Sequence, residues 1–271
     1  MNNRPVVERD YEHKFSASAF VNYYYSVNNT NPPSIYFEFF SSTVLKILQK
    51  YRYKFSQRND HSKVLEFGGG PNLWPSFLLA QYFDEIWFCD YTPANLQAVR
   101  DWINHAPSAH NWTLYFTAIC PKDVDEKQWE NKLRLAVSKD RIFRCDVNDP
   151  DTLIQWKEQQ QPPLFDIIFS SLTFEAACLS IDHFIQTIKR LWNMLRPGGM
   201  MLVCSTKNET NYMVGNEIFP CIQLNEENVT EAFLSNDLPK PEIIVEHNIA
   251  SEIICKGSQL NGLMVYYVFK Q

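Results

Sequence analysis

An open, mostly parallel α/β sheet with helices on both faces is the fold that this sequence predicts. Three observations carry it. From Val64 onward, short apolar runs alternate with longer segments of helical periodicity, as when parallel strands are joined by crossover helices. The first run leads directly into three glycines, in VLEFGGGPNLWP. Two further runs end on an acid, Asp90 in IWFCD and Asp146 in CDV.

Strands are expected at residues 63–67, 85–90, 141–145, 165–170 and 200–205, with 242–247 and 262–269 completing a seven-stranded sheet. The segment PANLQAVRDWINH, 93–105, reads as a helix with proline in its first turn. DHFIQTIKRLWNMLRPGG, 182–199, reads as a helix opened by a capping Asp182 and stopped at Pro-Gly-Gly. A charged insertion, PKDVDEKQWENKLRLAVSKD, carries an amphipathic helix between the second and third strands. Ahead of the sheet lies an aromatic-rich preface, 11–53, divided by NNTNPPS. Its second half, SIYFEFFSSTVLKILQKY, reads as a helix packed on the sheet. Residues 1–271 are expected to form one domain, with 1–60 as an N-terminal helical lid and 61–271 as the core.

The 271 residues are 45% hydrophobic with a net charge of -6. That balance opposes a broad nucleic-acid footprint, which draws on clustered Lys and Arg. The densest basic stretch, KYRYKFSQR at 50–58, reads as a solvated helix end. Asn31-Pro32-Pro33-Ser34 resembles the NPPY-type tetrad that holds an extruded adenine, but serine stands in the aromatic place. No apolar run suits a membrane span, and the polar N-terminus leads to the expectation of a soluble, cytoplasmic protein. Seven scattered cysteines without a CxxC pair read as small core hydrophobes in a reducing compartment. Six histidines show neither HExxH nor Cys/His ligand spacing, so no metal is expected.

Glycines after the first strand mark a site, because ligands of open parallel sheets gather at the carboxyl ends of strands. Gly68, Gly69 and Gly70 let the backbone turn sharply and let a ligand approach without meeting a Cβ. A dinucleotide fingerprint would need a glycine where Leu73 stands, and Pro71 disturbs the helix start on which a pyrophosphate would rest. Glu66 before the glycines instead matches the E/D-x-G-x-G opening of class I S-adenosylmethionine-dependent methyltransferases, whose donor carries an amino group. Asp90, about 20 residues on, can take both ribose hydroxyls. Asp146 can accept from an adenine amino group while the next backbone N–H donates to the ring. Each acid has a plainer alternative: a lysine partner for Glu66, a helix-start cap for Asp90, a turn cap for Asp146.

Taken together, FGGGP, CDYTPANLQ, CDV, SSLTFEAAC, LRPGGMMLV and NYMVG resemble the nicotinamide, phenylethanolamine and indolethylamine N-methyltransferases, in order from about Phe15 to the last strand. The resemblance implies a Rossmann-like class I methyltransferase and S-adenosylmethionine as methyl donor. It implies donor contacts from Tyr25, Gly68, Gly69, Trp74, Asp90, Tyr91, Asn95, Asp146, Val147 and Ser171, with Gly70 completing the glycine loop. Trp74 and Phe20 stand where the family usually has tyrosine.

Methyl transfer from a sulfonium is an in-line displacement in which the protein aligns the reactants and removes water. Phe20, Tyr24, Tyr25 and Tyr212 are candidate aromatic walls for a cationic substrate or product. Glu175, in LTFEAAC, is the candidate base for an acceptor that arrives as an ammonium; with Tyr25 it makes up the catalytic assignment. Ser205 stands where nicotinamide-methylating members place an Asp, Cys221 where they place a serine, and Asn208 is the nearest match to a Glu of the phenylethanolamine enzyme. The expected acceptor is therefore a small amine or a pyridine-like azaheterocycle, handled by a monomer. The alternative is a donor-binding pseudoenzyme with a regulatory partner.

Overall fold

The computed structural model describes residues 11–26, 35–56, 62–120, 124–151, 153–156, 163–247 and 259–271. The NNTNPPS divider and its NPPS tetrad lie outside them. Seven strands form one sheet in the order β3-β2-β1-β4-β5-β9-β8: β1 Lys63–Phe67, β2 Glu85–Asp90, β3 Ile142–Arg144, β4 Phe165–Ser171, β5 Leu195–Lys207, β8 Glu242–Glu246 and β9 Gly262–Phe269. β1 to β5 pair in parallel, and β9 runs antiparallel to both β5 and β8.

Each central strand is apolar on both faces, as a sheet covered on both sides requires. Val64, Ile86, Phe88, Ile167 and Phe169 pack with residues of α3 (Ile35–Tyr51), α5 (Trp74–Leu79) and α6 (Pro93–Ile103). Their neighbours in sequence, Leu65, Trp87, Cys89 and Ile168, join α10 (Ile181–Asn193) and α11 (Glu226–Leu234) on the other face. In α10 the buried Phe184, Ile188 and Leu191 recur at helical spacing and so form the stripe that docks. The insertion carries α8 (Glu126–Ala136), begun by Asp125, whose side chain accepts from the N–H groups of Lys127 and Gln128. Among the described residues, no helix is long and apolar enough to cross a membrane.

Two expectations are corrected. The helix expected over 182–199 is capped by Ser180, whose hydroxyl accepts from His183 N at 3.1 Å, while Asp182 lies in the first turn. That helix ends at Asn193, and Leu-Arg-Pro-Gly-Gly opens β5 instead, with Leu195 paired to Phe165 and a register shift before Met200. The second correction is an addition. A hairpin of β6 (Asn211–Val214) and β7 (Glu217–Pro220) follows β5, turning through Gly215 at φ +60°, the residue that a two-residue hairpin loop favours at its first position.

That hairpin receives the N-terminal helices α1 (Tyr11–Lys14) and α2 (Ala17–Tyr24). Tyr24 donates to the Met213 carbonyl at 3.0 Å, and the hydroxyls of Tyr11 and Tyr212 share a hydrogen bond of 2.9 Å. Phe15, Val214 and Phe219 form a small apolar cluster between the two parts.

Candidate functional site

The glycine loop follows β1, Asp90 ends β2, Asp146 lies two residues beyond β3, Ser171 ends β4, and Ser205 and Thr206 stand near the end of β5. All five strands run in parallel, so these residues share one edge of the sheet. Strand order turns about between β1 and β4, the crevice in which open α/β sheets take ligands.

The three glycines are bare for different reasons. A Cβ on Gly68, at φ +66°, would lie 2.1 Å from Thr173 Cγ2, and one on Gly69 would lie 2.3 Å from the Phe88 ring. Both residues are thus dictated by the protein's own packing. Gly70, at φ +64°, has no atom of the described residues within 4 Å of that position and faces open space among them. Its N–H donates to Asp90 Oδ2 at 2.8 Å.

Asp90 is the organising acid of the loop. Besides Gly70 it accepts from Thr92 N at 2.8 Å and from Asn95 Nδ2 at 2.9 Å. It therefore ties the glycine loop to the start of α6, and burial raises its carboxyl above the usual range. Tyr91 lies beside it, with the Arg144 guanidinium 5.0 Å above its ring and Tyr11 edge-on at 6.2 Å. Asp146 accepts from Asn148 N at 2.8 Å and so shapes its own turn. The Val147 carbonyl accepts from His183 Nε2 at 2.9 Å and Arg190 Nη1 at 3.0 Å, which fixes that turn against α10.

Glu66 lies under the loop, almost fully buried. One oxygen accepts from the Ser76 hydroxyl, and the other is buried without a hydrogen-bond partner among the described residues. Desolvation pushes its pKa up to about 8.

Tyr25 closes α2, its N–H bonding the Val21 carbonyl. Its carbonyl accepts from His110 Nε2 at 3.0 Å. Its buried hydroxyl accepts from Asn72 Nδ2 at 3.2 Å and from Trp74 Nε1 at 3.3 Å. The end of α2 is thus pinned to the segment just past the glycines. Trp74 itself is buried, with Phe37 edge-on at 5.8 Å. Phe20 lies against Tyr24 and Tyr25 with ring centres 4.9 and 6.0 Å apart. A cavity of about 270 Å³ is lined by Trp102, His110, Trp112 and Arg134 among others.

Glu175 sits in the short helix α9 (Phe174–Ala177) after β4, buried. Its Oε1 accepts from Thr206 N at 2.9 Å, Thr206 Oγ1 at 3.1 Å and Ser205 Oγ at 3.1 Å. Its Oε2 is buried without a hydrogen-bond partner among the described residues, and burial raises the pKa of the carboxyl. The structure adds a second acid that the sequence does not single out. Glu209, one residue past Asn208, lies with Oε2 2.9 Å from the Thr206 hydroxyl, and burial pushes it up to about 8 with Glu175 adding to the effect. Asn208 takes a left-handed turn at φ +54°, and its N–H bonds the Leu224 carbonyl. In sequence Glu209 is a lone acid in KNETN; the reversal at Asn208 after β5 is what brings it back toward Glu175.

Residues 4–268 match the NNMT/PNMT/TEMT family. The chain belongs to that family. It is 32% identical to the indolethylamine N-methyltransferase of Mus musculus over 82% of its own length and 81% of the relative's. It is 28% identical to the nicotinamide N-methyltransferase of Homo sapiens over 62% and 63% of the two chains. A solved S-adenosylmethionine-dependent methyltransferase from Clostridium acetobutylicum ATCC 824 superposes with a TM-score of 0.51 at 11% identity, covering 93% of this chain and 98% of that one, which supports the Rossmann-like class I fold. The chain is accordingly an S-adenosylmethionine-dependent N-methyltransferase of small molecules. Its residues suit that donor: acidic acceptors at Asp90 and Glu66 and, among the described residues, one oxygen of the latter unpartnered and open space beside Gly70 where a side chain would intrude.

Proposed function

We propose that the acceptor is a small amine bound as its ammonium ion, an arylalkylamine in preference to a nicotinamide. The observation that carries this reading is the pair of carboxyl groups, Glu175 and Glu209, gathered about Thr206 beside the strand tips. A carboxamide would call for balanced donors and acceptors, whereas this site presents acceptors for a cation. The same preference suits the 32% identical relative, which is named for indolethylamine.

Bound S-adenosylmethionine supplies a methyl group on a positively charged sulfur. Gly70, Asp90, Tyr91 and Asn95, with Asp146, Val147 and Ser171 at the adjoining tips, are the proposed donor-binding set, and Tyr25, Gly68, Gly69 and Trp74 fix its walls. Residues 1–60 act as the lid over a core of 61–271, excluding water as Tyr25 seats on Asn72 and Trp74. Phe20, Tyr24 and Tyr212 offer aromatic faces to the acceptor, each contact contributing roughly 0.5–2 kcal/mol toward a cation. Glu175, with Ser205 and Thr206 donating to one oxygen, keeps Oε2 to take the proton that frees the amine lone pair. Working as a soluble, cytoplasmic monomer without nucleic acid agrees with the acidic balance.

Methyl transfer from labelled donor to an arylethylamine, an alkylamine and a pyridine tests the reading. Glu175→Gln should slow both amines at least tenfold and the pyridine, whose lone pair is already free, far less. Equal losses on all three would remove Glu175 as base. Donor binding without transfer to any acceptor would favour the pseudoenzyme.

A further inference from the structure

The hydroxyl of Thr206 lies 3.1 Å from Glu175 Oε1 and 2.9 Å from Glu209 Oε2. A hydroxyl has one hydrogen to donate, so it cannot satisfy two carboxylates at once. The arrangement closes only when one carboxyl keeps its proton and donates to Thr206 Oγ1, which donates onward to the other. Glu175 Oε1 also receives Thr206 N and Ser205 Oγ, donors that favour negative charge there. Glu209 has no further hydrogen bond among those found for the described residues.

We propose that Thr206 is a proton-sharing link that joins Glu175 and Glu209 into one acid pair, with the proton on Glu209 and a single negative charge on Glu175. This rests on the reading of the two acids as facing the methyl acceptor. A buried carboxylate and a half-buried one side by side are costly to ionise together, and the raised position of both acids agrees with one shared proton. The titratable groups facing Glu175 are Cys178, Cys204 and Tyr266, all pushed toward their neutral forms by burial, together with Glu209. Lys207 is turned away to Glu226 at 2.6 Å. The pair thus offers one charge to one ammonium. In the step that follows, an N–H bond of the ammonium breaks and its proton passes to Glu175; the electron pair kept by the neutral amine forms the new N–C bond as the donor's S–CH3 bond breaks and leaves its electron pair on sulfur. The pair, now holding two protons, releases one to water when the product leaves. Thr206 acts through the acids and is a positioning residue.

The full-length protein labelled with carboxyl carbon-13 glutamate reports the link directly, with Glu175→Gln and Glu209→Gln assigning the signals. Wild type should show two separated macroscopic steps belonging to the pair. Thr206→Val, close to isosteric, should narrow their separation by about one pH unit or more, because the singly charged state loses charge-assisted bonds. Thr206→Ser should keep the separation. In kcat/KM profiles Thr206→Val should move the acid limb up by about one pH unit for an arylethylamine and leave a pyridine unmoved. Unchanged steps in Thr206→Val, or Thr206→Ser behaving like the valine, would overturn the link. If Thr206→Val does not fold, Glu209→Gln decides: Glu175 should then titrate in one step at the midpoint of the first wild-type step, because glutamine imitates the protonated Glu209, and a midpoint well above it would place the shared proton on Glu175 and overturn the proposal. Failure to methylate any acceptor would sink the proposed function, while the titration would still decide the link.

Discussion

The indole N–H of Trp74 donates to the phenolic oxygen of Tyr25 across 3.3 Å of buried space, so the first helix past the glycine loop holds the residue that closes α2. Asn72 makes a second bond to the same oxygen. Tyr25→Phe would leave both donors buried and unpaired, at a cost of about 1–3 kcal/mol, or a melting midpoint several degrees lower. Affinity for S-adenosylhomocysteine should fall roughly tenfold as the lid loses its anchor. Trp74→Phe removes one donor and leaves Asn72 in place, so its effect should be smaller. Calorimetry and thermal unfolding of the two variants check the order; equal, negligible losses would mean that the contact does not hold the lid.

The glycines separate packing from ligand access. Gly69→Ala drives a methyl into the Phe88 ring in the middle of the sheet and should leave little folded protein. Gly70→Ala meets only the strain of a positive φ, about 1–2 kcal/mol, because nothing lies near the added carbon. It should fold yet bind the donor poorly, since the methyl enters the space assigned to the ligand. A Gly70→Ala protein with unchanged donor affinity would move the donor away from that loop.

Much of this arrangement can be read from residues in order. The central sheet strands are legible because both faces are buried, giving apolar runs such as IWFCD that end on an acid, while the edge strand β8 is half-buried to exposed along its length. The N-terminal boundary of β5 is not, since Arg-Pro-Gly-Gly looks like a helix stop while in space it begins pairing opposite Phe165. The β6–β7 hairpin does carry a signal, the short apolar runs Tyr-Met-Val and Ile-Phe on the two sides of Gly215-Asn216. Glu209 carries almost none: its place depends on the left-handed turn at Asn208, and a short acid-containing loop reads as solvated surface. In sequence the bareness of Gly68 and Gly69 reads as room for a ligand, whereas Thr173 and Phe88, distant along the chain, occupy it.

Asp90 should be more than a ribose acceptor. Its two oxygens hold three donors, including the Gly70 N–H, so Asp90→Asn puts an amide N–H₂ against a backbone donor. We expect a loss of about 2–3 kcal/mol in stability and donor affinity reduced well beyond tenfold, because loop geometry and ligand contact fail together. Asn95→Ala, which removes only one of the three donors, should cost less on both measures. Urea titration alongside S-adenosylhomocysteine binding would show whether the two losses track each other.

Glu66 makes the stability of the free protein depend on pH in an uncommon direction. Its carboxyl lies at about 8 in the folded chain, raised from 4.5 by burial with only Ser76 to offset it. The folded protein therefore keeps a proton that the unfolded chain releases above 4.5. The favourable contribution is complete below 4.5, declines as pH rises, and is gone near 8. A tenfold difference in proton affinity between the folded and unfolded chain is worth about 1.4 kcal/mol, so Glu66 accounts for a decline of a few kcal/mol across that window. Asp90, Glu175 and Glu209 are raised too and add to the same slope, but the difference between wild type and Glu66→Gln isolates the one group. The variant, which can keep the bond to Ser76, should be flatter between pH 5 and 8 in chemical unfolding. A donor analogue carrying an ammonium group should also flatten the wild-type curve by favouring the charged carboxylate, and an analogue without its amino group should not. Parallel curves for wild type and variant would mean that Glu66 is already ionised at neutral pH, with a partner for its second oxygen.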